Sequence, residues 1–172
     1  FVLLGFFPSV VSFSLYPVFA QLMNKQAIAD VRTHIEEYVR LMIAFALPLG
    51  VGGMILAEPL IVLLAKEEYI GGASALRVLI WAPAILCVYV TANALVISQL
   101  TKNAVYVTLT NVLINIIGNI ILVPRIGIIG AAIMTVVSEL IQGTYYFYVI
   151  HTKITHFSIS SFFLKPLAAS II

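Results

Sequence analysis

Three asparagines, Asn111, Asn115 and Asn119, stand four residues apart inside an otherwise apolar segment. On a helix they form one ladder spread over roughly 80° of arc and about 12 Å of length. A second apolar segment follows at once and places Thr135, Glu139, Gln142 and Tyr146 along one helical face. Amides offer donors and acceptors without charge, so such a ladder either bonds neighbouring helices together or lines a hydrophilic passage. Glu139 falls near the middle of its segment. A carboxylate at membrane depth costs about 2.5 kcal/mol or more, so it is expected to face a cavity or a partner, or to hold a proton. A role in transport and a structural, hydrogen-bonded carboxyl are both open for it.

The elements that carry these groups are set by composition. Apolar residues make up 62% of the 172-residue chain, charged residues only 9%, and the mean hydropathy is +1.13. No aqueous core accounts for such values, and an integral membrane protein is expected, all-α and polytopic. The net charge of +2 is small and dispersed, which gives no footprint for nucleic acid. The single Cys87 excludes an internal disulfide. No signal peptide is expected, because the first apolar run lacks a basic flank and contains Pro8 and Pro17. Since the chain starts and stops within apolar runs, it reads as a fragment of something longer, a single transmembrane region over residues 1–172.

About six hydrophobic segments follow one another, the first and last truncated. Phe1–Met23 is the first span, with prolines that a membrane helix tolerates when neighbours satisfy the freed carbonyls. Residues 24–40 are the one densely charged stretch. Ile28, Val31, Ile35 and Tyr38/Val39 recur there at helical spacing, and Arg32–Glu36 and Glu36–Arg40 are spaced for ion pairing, so an interfacial amphipathic connector is expected, with a substrate headgroup site as the alternative. Leu41–Ala65 is the second span, loosened by Pro48 and Gly50-Val51-Gly52-Gly53, with Glu58 near its far interface. A polar turn at residues 66–72 leads to a third span at about Leu76–Leu100, which contains Trp81, Pro83 and Asn93. The fourth covers roughly Ala104–Val123 and the fifth Ile128–Ile150, with Pro124-Arg125-Ile126-Gly127 as the turn between them. A linker with His151, Lys153 and His156 precedes the sixth, Phe162–Ile172.

Basic residues orient these spans. Connections after spans one, three and five hold Lys25, Arg32, Arg40, Lys102, Lys153 and Lys165, against Lys66, Arg77 and Arg125 after spans two and four, so the former, including the 24–40 connector, are expected on the cytoplasmic side. Arg77 and Arg125 are expected to extend to the outer interface. Tyr145, Tyr146 and Tyr148 suit an aromatic belt. Metal binding is not expected, since His151 and His156 have no Cys or carboxylate close by in sequence. Nor is an enzyme: the chain has no Gly-rich phosphate loop, no Gly-x-Ser-x-Gly and no paired carboxylates on a polar loop, and no cofactor motif is seen.

The order of several short motifs resembles a known family. Leu15-Tyr16-Pro17-Val18-Phe19-Ala20 precedes the charged connector, Leu47-Pro48-Leu49-Gly50 comes next, and Glu58-Pro59-Leu60-Ile61-Val62-Leu63-Leu64 leads to Glu68-Tyr69 and Gly72-Ala73. Asn115-Ile116-Ile117-Gly118-Asn119 then runs through Pro124 into Ile126-Gly127-Ile128-Ile129-Gly130-Ala131-Ala132. In this order the chain is similar to the polysaccharide-export branch of the multidrug/oligosaccharidyl-lipid/polysaccharide exporter superfamily, the flippases of O-antigen and teichoic-acid type. One departure is Lys66, where such sequences often carry Gly after the Leu-Leu pair.

The resemblance implies a multi-pass protein of the cell (cytoplasmic) membrane that moves a lipid-linked oligosaccharide between leaflets by alternating access. The chain would be part of the C-terminal bundle and would need the N-terminal half of the same transporter as partner. A coupling ion, proton or sodium, is implied, and Glu139 is the candidate carrier of a coupling proton. Glu139, Asn111, Asn115, Asn119, Gln142 and Thr135 are the candidate substrate-path or coupling residues. Two alternatives remain open: a multidrug or cation antiporter of the same superfamily, and a non-transporting membrane assembly subunit whose polar residues serve only packing.

Overall fold

The computed structural model describes residues 2–154, and among these every regular element is helical. Helix α1 spans Val2–Asn24, α2 Ile28–Ile55 and α3 Ala57–Ala65. A 3-10 turn at Glu67–Gly72 leads into α4, Ala73–Leu79, followed by α5, Trp81–Gln99, α6, Thr101–Ile126, and α7, Ile128–Lys153. Four helical stretches, Ile28–Ile55, Glu67–Gln99, Thr101–Ile126 and Ile128–Lys153, are long and apolar enough to cross a membrane. The all-α bundle is therefore the architecture of a membrane-embedded protein. The expected sixth segment, Phe162–Ile172, and His156 of the linker before it lie outside the described residues.

Helix α5 is the hub of the bundle, and α1, α2 and α7 all pack on it. It is apolar on every side, and in a crowded bundle such a helix can be enclosed all round. Ala82, Ala84, Ala92 and Ala94 are buried along it and let neighbouring backbones approach. The core it organises joins Leu15 and Phe19 of α1, Val31, Ile35 and Val39 of α2, Leu95 and Val96 of α5, and Tyr146, Val149 and Ile150 of α7.

Several boundaries differ from those expected, each for a physical reason. Residues 28–40 form the first part of α2, which runs unbroken through Pro48 to Ile55. The stripe Val31, Ile35, Val39 and Met42 is buried in the bundle core, so the apolar face of this stretch packs on protein. Of the two ion pairs expected there, Arg32 and Glu36 meet at 3.0 Å, while Arg40 is in neither ion pair of the described residues, the other joining Arg77 to Glu58. The second span breaks at Leu56, past the glycines, and the third breaks at Ile80. These breaks lie near each other, because a Cβ on Gly53 would meet the Ile80 side chain and one on Gly50 would meet the Trp81 ring at 2.9 Å.

The turn between α6 and α7 is shorter than expected. Helix α6 continues through Pro124 to Ile126, and the chain reverses at Gly127, whose φ of 64° and ψ of −144° suit glycine alone. The Gly127 amide closes the last turn of α6 on Val123 O at 2.9 Å. Helices α6 and α7 then run antiparallel in close contact. A Cβ on Gly130 would meet the Leu122 backbone at 2.9 Å, and Gly118 receives the Met134 side chain. Most of α6 is exposed: only Ala104, Val107 and Gly118 are buried along its 26 residues.

Candidate functional site

The α6–α7 hairpin brings most of the expected polar residues together. Asn111 Nδ2 donates to Gln142 Oε1, and Asn115 Nδ2 donates to Ser138 Oγ at 3.1 Å. Asn119 Nδ2 donates to Asn115 Oδ1 at 2.9 Å, and the Ser138 hydroxyl donates to Thr135 O at 2.9 Å. Four-residue spacing makes this possible: the amides fall on one side of α6, and the antiparallel partner presents Ser138 and Gln142 at matching heights. The result is a seam of neutral hydrogen-bonding groups between two otherwise apolar helices. Two of its acceptors, Asn111 Oδ1 and Asn119 Oδ1, are buried with no hydrogen-bond partner among the described residues. In a hydrocarbon setting an unpaired carbonyl of this kind is costly.

Thr135 and Glu139 do not join the amides through their side chains. The Thr135 hydroxyl bonds back to Ala131 O at 2.9 Å within its own helix. Glu139 instead takes a hydrogen bond from Tyr89 of α5, with 2.5 Å between the phenol oxygen and Oε2. Tyr89 also stacks on Tyr146, their ring centroids 5.7 Å apart, and packs against Gly143, where a Cβ would approach its ring to 2.9 Å. The face drawn through Thr135, Glu139, Gln142 and Tyr146 thus divides: Glu139 and Tyr146 meet α5, and Gln142 meets α6.

Tyr89 and Ser138 are the members that sequence reasoning missed. Ser138 lies one residue from Glu139 on the same helix, and spacing from the asparagines does not single it out. Tyr89 sits 50 residues from its partner on a helix with no polar face, and the one signal for it is its four-residue offset from Asn93. That offset matters, because Tyr89 and Asn93 share the wall of an open cleft between α5, α6 and α7, of about 480 Å3. Thr101 and Thr108 of α6 and Gln142 and Tyr146 of α7 contribute to the same wall, over an apolar floor that includes Leu86, Ile97 and Leu109. The cleft lies at the end of the bundle where α5 hands over to α6, near the bond from Lys153 Nζ to Asn103 Oδ1 at 3.3 Å.

At the opposite end the structure adds an ion pair: Arg77 Nη2 donates to Glu58 Oε1 at 2.6 Å, both side chains about half exposed. It ties α3 to α4. Tyr145 and Tyr148 stack on the exposed side of α7 with centroids 6.2 Å apart, separate from the buried Tyr146. Cys87 is a buried free thiol in the core. Among the described residues no group of three or more His, Cys, Asp or Glu side chains converges as a metal site would require. Comparison with known proteins finds no family model, no curated protein and no solved structure that matches this chain.

Proposed function

We propose that the chain is part of a membrane flippase that carries a lipid-linked oligosaccharide across the cytoplasmic membrane by alternating access, together with the N-terminal half of the same transporter. The observation that carries the reading is the seam from Asn119 to Gln142, with two buried carbonyl acceptors left unpaired inside an apolar bundle. Neutral polar groups at that depth suit the passage of a hydroxyl-rich headgroup while its lipid tail stays in the bilayer. The motif order from Leu15 to Ala132 points the same way. Glu139, held by Tyr89 between α5 and α7, is the one carboxylate in the seam's neighbourhood and the candidate for ion coupling.

A second reading has its own observation. Asn111–Gln142 and Asn115–Ser138 cross from α6 to α7, which is how polar side chains fasten membrane helices in a subunit that transports nothing. Deleting the gene in the native host separates the two. A flippase leaves lipid-linked oligosaccharide accumulated on the cytoplasmic leaflet, and the full-length protein clears it. Glu139→Gln or Asn115→Ala, inserted at normal levels, then fails to restore export. Intact surface glycans without accumulation remove the flippase reading, and resistance to amphipathic cations on expression would favour an antiporter.

A further inference from the structure

We infer that the cleft between α5, α6 and α7 is a binding site for an uncharged, hydroxyl-rich group, a sugar ring in chemical terms, and not for a phosphate or a cation. The inference deepens the transporter reading and rests on it for the natural ligand. Its first support is the charge of the wall: among the described residues no Asp, Glu, Lys or Arg lines the cleft. An ionised phosphate finds no counter-charge there, and Glu139, already engaged by Tyr89 Oη, does not line the wall for a cation.

The second support is hydrogen-bonding capacity left open on that wall. The Asn93 side chain has no hydrogen bond within the described chain, although it lies well inside α5, six residues from the helix end at Gln99. At about 1.5 Å per residue that is roughly 9 Å below the end of the helix. Gln142 uses Oε1 to accept from Asn111, which leaves its amide NH2 for the cleft. Amide donors beside hydroxyl and carbonyl acceptors match sugar hydroxyls, each of which both donates and accepts. A lipid chain would need none of these groups.

Shape and access agree with this chemistry. About 480 Å3 falls within the range of roughly 300–1,000 Å3 seen for small-molecule sites. The apolar floor of Leu86, Ile97 and Leu109 suits the C–H faces of a ring. The lining follows the first turns of α6 from Thr101 to Leu109, and Asn93 of α5 shares that wall.

The test uses the full-length protein in phosphatidylcholine nanodiscs and two photoreactive probes with the same diazirine-bearing decyl chain, one a maltoside and one a phosphate. Labelling of residues 86–109 by the maltoside, displaced by unlabelled decyl maltoside and not by decyl phosphate, is the expected result. Asn93→Leu and Gln142→Leu each lower maltoside labelling about five-fold, the factor one net hydrogen bond contributes. Equal labelling by both probes overturns the inference, as does maltoside labelling unchanged in both variants; either marks a groove for lipid chains. The competition arm needs no variant, so a variant that fails to fold leaves the test intact. Maltoside binding in a protein whose deletion causes no accumulation would keep the site and remove the flippase reading, while accumulation without maltoside binding would do the reverse.

Discussion

Three glycine-to-alanine substitutions test how the α6–α7 hairpin is held. A Cβ on Gly130 would stand 2.9 Å from both the carbonyl carbon and oxygen of Leu122, backbone atoms that cannot rotate aside. Relief requires the two helices to move apart, which strains the Gly127 turn and loosens the seam below it. Overpacking of this kind costs about 1–3 kcal/mol, and the upper half of that range is expected for Gly130→Ala. At Gly118 the added methyl meets the Met134 side chain, whose flexible thioether can swing to another rotamer, so about 1 kcal/mol or less is expected. Gly52 has nothing within 4 Å, and there Gly→Ala gains up to about 1 kcal/mol from helix propensity. Reversible unfolding in mixed micelles of increasing SDS content, followed by far-UV circular dichroism, ranks the three. A cost at Gly118 equal to that at Gly130 refutes the argument that a rigid backbone contact sets the hairpin spacing.

Other perturbations follow from the same geometry. A double-mutant cycle of Tyr89→Phe and Glu139→Leu is expected to give a coupling of about 1–2 kcal/mol, above the roughly 0.6 average for polar pairs in membranes; coupling below about 0.3 denies the 2.5 Å bond any energetic role. Asn115 bonds both Asn119 and Ser138, so Asn115→Ala is expected to lose about 1–2 kcal/mol and Asn119→Ala about half as much in the same unfolding assay. Lys66 holds φ 75° and ψ 166°, a region essentially reserved for glycine, and Lys66→Gly is expected to stabilise by about 1 kcal/mol. A thermal midpoint unchanged or lowered by that substitution would contradict the strain.

Much of the fold was legible because hydropathy marks helices of membrane length whatever their packing. The helix pair bearing the asparagines and the ladder itself could be read from spacing alone. Other parts could not. Pro124 reads as a breaker, yet near a helix end it removes a single amide bond, and the reversal falls instead on Gly127, the residue able to take a positive φ. The stripe Val31, Ile35, Val39 looks the same whether it faces lipid or protein, since both are apolar. Helix α5 hides its orientation for a related reason: with apolar residues on every side, no period reveals which face turns Tyr89 toward Glu139. Glu58 and Arg77 lie 19 residues apart on either side of the 3-10 turn at Glu67–Gly72, so no local rule joins them. Lys66 likewise gives no sign in the sequence of a backbone conformation that favours glycine.

The Gly127 reversal also bears on how the protein is made. A segment with three asparagines enters a bilayer less readily by itself than an apolar one such as α5. Asn111 and Asn115 donate to partners on the helix that follows, after a turn of a single residue, while Asn119 donates to Asn115 within α6. The bonds from α6 to α7 therefore form only once Ser138 and Gln142 have emerged, so the seam is completed by the two helices as one unit.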